Sequence, residues 1–236
     1  MRVRTMSKPA PDNLKDFPLC EFFLSAYITK AKDEDAIFDR QRLCRYEELL
    51  ACALGALNIR KEELKKRPEF NFDRTDKANF ESAVGALRAV VLLHQKGFSD
   101  IKLLEMGPKP GADILCRSGK GKQVCCEVKT LTVGSGAGRK PAQFLAEQMA
   151  EKLRSKVDES RVQLAASMTE RNCDGTALIV VVNWPLHSAV LDQSSYQTIV
   201  DTPESDGRTK GIDAFVFVTS LGQSYGFLSD HAQHLL

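Results

Sequence analysis

Apolar positions from Phe17 to about Leu64 fall at helical spacing. Leu43, Leu49, Leu50, Ala53, Leu54 and Leu57 recur every three or four residues, with no strand-like alternation. The polar run Arg60-Lys61-Glu62-Glu63-Leu64-Lys65-Lys66-Arg67-Pro68 closes this region at a proline. The pattern then changes. A helix is expected over residues 77–96, capped by Thr75 or Asp76 and stopped by Gly97. A short strand follows at 101–105, then the turn Gly107-Pro108-Lys109-Pro110-Gly111. Residues 112–117 and 122–131 read as two strands joined by Ser118-Gly119-Lys120-Gly121, a hairpin signal. Pro141 suits the first turn of a helix, broken once, that runs to about Met168 with Leu145, Met149, Leu153, Val157, Leu164 and Met168 on one side. Residues 177–184 look like a buried central strand, and 212–219 like another. The order helix, three-stranded meander, helix, strand, strand predicts a mixed α/β (α+β) sheet flanked by helices. The expected division is a loose arm at 1–16, a helical subdomain at 17–70 and an α/β core at 71–236.

Composition narrows the class. The 236 residues are 43% hydrophobic and 27% charged, enough apolar material for a core and too much for a disordered chain. Even an apolar run as long as any in the chain, Ala177 to Val182, falls far short of the ~20 residues of a membrane span. The first residues lack an apolar stretch, so no secretory leader is expected. A net charge of +2 gives no global attraction to nucleic acid, so any such contact must use local basic patches. The seven cysteines are odd in number, irregularly spaced and without a Cys-x-x-Cys pair. Reduced, mostly buried thiols in a cytoplasmic protein are expected, with Cys125 and Cys126 on opposite faces of their strand. His231 and His234 lack partners at zinc-ligand spacing, and His94 near a helix end needs only the dipole to explain it.

Candidate chemistry gathers on the hairpin. If it turns symmetrically about Lys120, Asp113 lies opposite Glu127. Direct cross-strand partners have Cβ atoms ~5 Å apart. Two carboxylates that close repel unless a cation or a shared proton lies between them. Hard oxygens at that spacing suit Mg²⁺ or Mn²⁺. Glu127 and Lys129, two apart on a strand, share a face, so the lysine reaches the same space. Val124, Cys126, Val128, Leu131, Ile114 and Leu115 make the hairpin largely apolar, and unpaired charges there are costly.

Asp113 followed by Glu127-Val128-Lys129 resembles the Asp…Glu-x-Lys signature of the PD-(D/E)xK nuclease superfamily, over about residues 79–219. Gly111-Ala112 stands where a proline is nominal. The resemblance implies a restriction-endonuclease-like core and a metal-dependent nuclease, more on DNA than on RNA. Asp113, Glu127 and the Val128 carbonyl would hold Mg²⁺ or Mn²⁺. Lys129 would position the attacking water and stabilise charge on the scissile phosphate. The family's additional glutamate would be Glu81, and its helix glutamine Gln143, better placed than Gln148. The family also implies a homodimer for cutting two strands. Alternatives are a catalytically inactive nucleic-acid-binding or scaffold protein on the same fold, and an endonuclease directed at RNA.

Weaker features flank this set. Gly134-Ser135-Gly136-Ala137-Gly138 with Arg139 and Lys140 resembles a phosphate cradle, although Pro141 stands where a Walker loop needs Ser or Thr. Lys120 and Lys122 at the hairpin tip, and Lys65-Lys66-Arg67, are further candidates for phosphate contact or plain surface charge. The N-terminal helices are a candidate surface for a partner protein or DNA, and residues 185–210 a candidate insertion.

Overall fold

The computed structural model describes residues 14–30, 40–72, 77–105, 111–132, 142–183, 199, 201, 205–218 and 224–228. The chain divides into two compact units, Met1–Val91 and Leu92–Leu236.

The first unit is helical, as its periodicity implies. After a 3-10 turn, Leu14–Asp16, come α1 (Pro18–Lys30), α2 (Arg40–Leu57), α3 (Lys61–Lys66), a second 3-10 turn (Pro68–Phe70) and α4 (Lys77–Gln95). Leu14, from the expected loose arm, is buried; residues 1–13 lie outside the described residues. Pro18 opens α1 without leaving an orphan donor. Two further first-turn donors are taken from another helix: Leu19 N–H and Cys20 N–H donate to Glu47 Oε1 and Oε2 at 2.9 and 2.8 Å. In α2, Leu43, Leu50, Ala53 and Leu57 face inward, and Asn58 ends the helix at φ 53°, a conformation asparagine tolerates.

The core of this unit is aromatic. Phe80 stacks on Tyr27 at 4.3 Å and meets Phe72 edge-on at 5.1 Å, while Phe72 also touches Phe23 and Phe70. That packing holds the first part of α4 with the helical unit. The helical unit accordingly runs on to Val91. The polar run at 60–68 is instead an ion-paired surface, with Arg60 on Glu63 and Arg67 on Glu69. Gly97 stops α4 as expected, at φ 85° with its N–H on the His94 carbonyl. The expected caps Thr75 and Asp76 lie outside the described residues.

The second unit holds a mixed sheet. Its strands are β1 (Ser99–Leu103), β2 (Ile114–Arg117), β3 (Gln123–Thr132), β4 (Gly175–Asn183), β5 (Ala214–Val218) and β6 (Ser224–Leu228), with α5 (Ala142–Arg171) between β3 and β4. They lie in chain order across the sheet. β1, β2 and β3 run antiparallel, β3, β4 and β5 parallel, and β6 returns antiparallel to β5. The parallel β3–β4 pair requires a crossover, which α5 supplies. The order matches the expected one, with β6 added and α5 unbroken. No helix among the described residues is long and apolar enough to cross a membrane.

The core lies between the sheet and α5. Met149, Leu153, Val157 and Leu164 pack against Leu131, Leu178, Val180, Val182 and Phe215. Buried positions on α5 continue at Ser160 and Ser167, whereas Met168, expected on the inner side, is 39% exposed. Cys125 and Cys173 form a disulfide with Cα atoms 6.1 Å apart, within the ordinary span. This corrects the expectation of reduced thiols. Cys125 points from β3 into the core, and the turn after α5 returns Cys173 to it, a closure that sequence spacing does not display. Cys126 points the other way, its Sγ 3.7 Å from that of Cys116. Cys20, Cys116 and Cys126 are buried and free, but Cys44 and Cys52 are exposed.

Candidate active site on the hairpin

The β2–β3 pairing is the symmetric one. Partners Ile114↔Cys126, Leu115↔Cys125, Cys116↔Val124 and Arg117↔Gln123 have numbers that sum to 240 in every pair. Ser118 N–H donates to the Lys122 carbonyl at 2.8 Å and Gly121 N–H to the Ser118 carbonyl at 2.8 Å, closing a turn in which Gly121 has φ 76°. Asp113 stands just before β2, where the pairing steps off this register by one residue: its N–H donates to the Cys126 carbonyl at 3.0 Å. Its charge nonetheless reaches Glu127 on β3.

Beyond that point β3 runs on without β2 beside it, and the Asp113 side chain takes the missing strand's place. Its Oδ2 accepts the Val128 N–H at 2.8 Å. An extended residue turns its N–H and C=O to the same side, so the Val128 carbonyl also faces Asp113. The residue before Asp113 is fixed as well: Ala112 N–H donates to Ser167 Oγ on α5 at 2.7 Å.

Glu127 is buried, 1% exposed. Its Oε1 pairs with Lys129 Nζ at 2.7 Å, while Oε2 is buried and has no hydrogen-bond partner among the described residues. Burial, and next the charge of Asp113, push its carboxyl up to about 7, against the pull of Lys129. One ion pair does not offset the loss of water and a neighbouring acid. The charge of Glu159 on α5 adds to the upward push. Lys129 Nζ also donates to Gln163 Oε1, on α5, at 2.7 Å.

The donor set fits a hard divalent cation. A buried carboxylate oxygen without a partner, a second carboxylate and a backbone carbonyl are oxygen ligands suited to Mg²⁺ or Mn²⁺, ions that keep several waters or substrate oxygens as further ligands. Among the described residues no group of three His, Cys, Asp or Glu side chains gathers for a metal.

The structure brings Asp113, Glu127, Val128 and Lys129 together within the second unit. Glu81 belongs to the first, beside Tyr46 and Arg88; burial raises the Tyr46 phenol and lowers the Arg88 guanidinium, and the charge of Glu81 raises both. Gln143 lies in the first turn of α5 by backbone, its side chain outside the described residues, and Gln148 is exposed. Lys120 and Lys122 are exposed at the hairpin tip, with Lys122 3.6 Å from Asp174. Arg139, Lys140 and the glycine-rich loop lie outside the described residues. Lys65 donates to the Phe22 carbonyl at 2.7 Å, over whose ring it sits, and Arg67 is paired with Glu69. His94 is exposed; His231, His234 and most of 185–210 lie outside the described residues.

Gln163 and Ser167 were missed by sequence reasoning. Their signal is the row Leu153, Val157, Ser160, Leu164, Ser167, in which serines occupy inward positions of an otherwise apolar stripe and Gln163 flanks them. Polar groups on such a row need partners on the sheet.

No protein-family model matches the chain, and no curated protein does. Among solved structures, the CdiA-CT/CdiI toxin and immunity complex from Burkholderia pseudomallei is similar at 14% identity and a TM-score of 0.35, covering 66% of this chain and 90% of that one.

Proposed function

We propose that the protein is a metal-dependent nuclease that hydrolyses phosphodiester bonds, in DNA rather than RNA, at a site made by Asp113, Glu127 and Lys129. The observation that carries this reading is the buried, partnerless Glu127 Oε2 beside a second carboxylate and a lysine. A fold seldom keeps two acids and a free buried oxygen together without a use for them. The Asp…Glu-x-Lys pattern of the PD-(D/E)xK nucleases supports the same reading.

In it, Asp113, Glu127 and the Val128 carbonyl hold Mg²⁺ or Mn²⁺, which when bound supplies Lewis acidity and a readily ionised water. Lys129 orients the attacking water and stabilises the negative charge that builds on the phosphate oxygens. Asp113 also acts on the backbone, because its bond to Val128 N–H fixes the strand that carries Glu127 and Lys129.

One observation favours a second reading. Lys129 already neutralises Glu127, which is the arrangement of a non-catalytic nucleic-acid-binding or scaffold protein. Cleavage of supercoiled plasmid and single-stranded DNA and RNA in Mg²⁺, Mn²⁺ or EDTA separates the two. The nuclease reading expects metal-dependent cutting that Asp113→Ala and Lys129→Ala both abolish. It also expects a Mn²⁺-induced rise in melting temperature that Asp113→Ala removes. Absence of both cutting and Mn²⁺ stabilisation in the wild type leaves the scaffold.

A further inference from the structure

Lys129 has two acceptors, and they belong to different elements. Glu127 Oε1, two residues away on the same strand, lies 2.7 Å from Nζ; Gln163 Oε1, on α5, lies at the same distance. An ammonium only donates, so the amide must present its oxygen. From this geometry we propose that Gln163 is the positioning residue for Lys129, an inference that rests on reading Lys129 as the catalytic lysine.

The chemistry of the two acceptors differs. Glu127 is one of the groups expected to hold the cation, and a carboxylate so engaged is a poorer partner for Lys129. Gln163 is outside that set and keeps its bond. A lysine stem has four rotatable carbons and holds no direction by itself. An amide directs it without cancelling its charge, whereas a carboxylate in that place would neutralise the group meant to meet a phosphate.

Gln163 is itself well anchored. Leu164 beside it is fully buried, and Ser167, one turn on, accepts the Ala112 N–H immediately before Asp113. One stretch of α5 thus sets both the strand entry of the acid and the direction of the lysine. Glu159, one turn earlier, is a further acid whose charge meets that of Lys129, and it is bonded to Lys156 at 2.8 Å.

The test uses the full chain with Gln163→Met, close in shape to glutamine, and Gln163→Leu as the second variant if the first does not fold. Two readouts are taken. In metal-free protein, limited acetylation by acetic anhydride, located by mass spectrometry, should modify Lys129 several-fold faster in Gln163→Met than in wild type, with other lysines unchanged. On DNA with Mn²⁺, kcat should fall by about tenfold to a hundredfold while KM stays within about twofold. Gln163→Glu should keep Lys129 protected yet also lose kcat, because the acceptor is restored and the charge is not. Unchanged Lys129 acetylation in folded Gln163→Met overturns the proposal, whether or not the wild type cuts DNA. Unchanged kcat overturns it as well. A wild type that cuts equally well with and without Lys129 refutes the nuclease site instead, and Gln163 then positions no catalytic group.

Discussion

Glu47 and Glu127 show two fates for a carboxylate turned into a protein. Glu47, in the helical unit, reaches across to α1 and accepts the N–H groups of Leu19 and Cys20, one with each oxygen. Both oxygens are satisfied, and the helix start gains a negative charge where its dipole favours one. Glu127, in the sheet unit, has one oxygen on Lys129 and the other without a partner among the described residues, with Asp113 adjacent, and its carboxyl rises to about 7. A formal ion pair is therefore a weaker sign of a settled carboxylate than a pair of backbone donors. Glu47 completes an element; Glu127 leaves a place for something else.

The comparison can be broken most sharply through activity. Lys129→Ala should lower metal-dependent cleavage by about 100- to 1,000-fold, and Glu47→Ala should leave it unchanged. Equal losses in plasmid cutting would show that the site around Glu127 is no more tied to activity than the helix start that Glu47 completes.

Next in size is the pH dependence of stability. The folded-state value of Glu127, about 7, lies above the ordinary 4.5, so the fold favours its protonated form. Its contribution is complete below pH 4.5 and is lost as pH rises through 7. Glu127→Gln has no such loss, so at pH 8 it should gain on the wild type by about 3 kcal/mol relative to their difference at pH 4.5. Urea unfolding at the two pH values measures this, and parallel pH profiles would contradict it.

Glu47→Ala should cost about 1–2 kcal/mol by stranding two helix-start donors, read as an earlier midpoint in helical circular dichroism. Smallest is Lys122→Ala, which removes a 3.6 Å surface pair with Asp174. It should change stability by about 0.5 kcal/mol or less and affect cleavage only if the hairpin tip meets phosphate, seen as a shallower salt dependence.

Much of the sheet unit could be read from residues close in sequence. The turn Ser118–Gly121 sets the register, the register brings the residues before β2 close to Glu127, and alternation puts Lys129 with them. What escaped reading depended on partners distant in sequence. Gln163 and Ser167 meet the hairpin only because α5 crosses the sheet, and as polar residues within or beside an apolar stripe they are not marked by hydrophobic periodicity. Cys125 and Cys173 meet for the same topological reason. The division after Val91 depends on Phe80 finding Tyr27 and Phe72, a choice of neighbour that helical periodicity does not encode.

The Cys125–Cys173 bridge also has a consequence for the chain as a polymer. It spans 48 residues, and between its ends lie Glu127, Lys129 and the whole of α5. A single protease cut anywhere between the two cysteines would leave both fragments on one covalent thread. The nicked protein would migrate as one species on a non-reducing gel and separate into two only after reduction. The two flanks of the candidate site thus travel together through a break in the backbone that joins them.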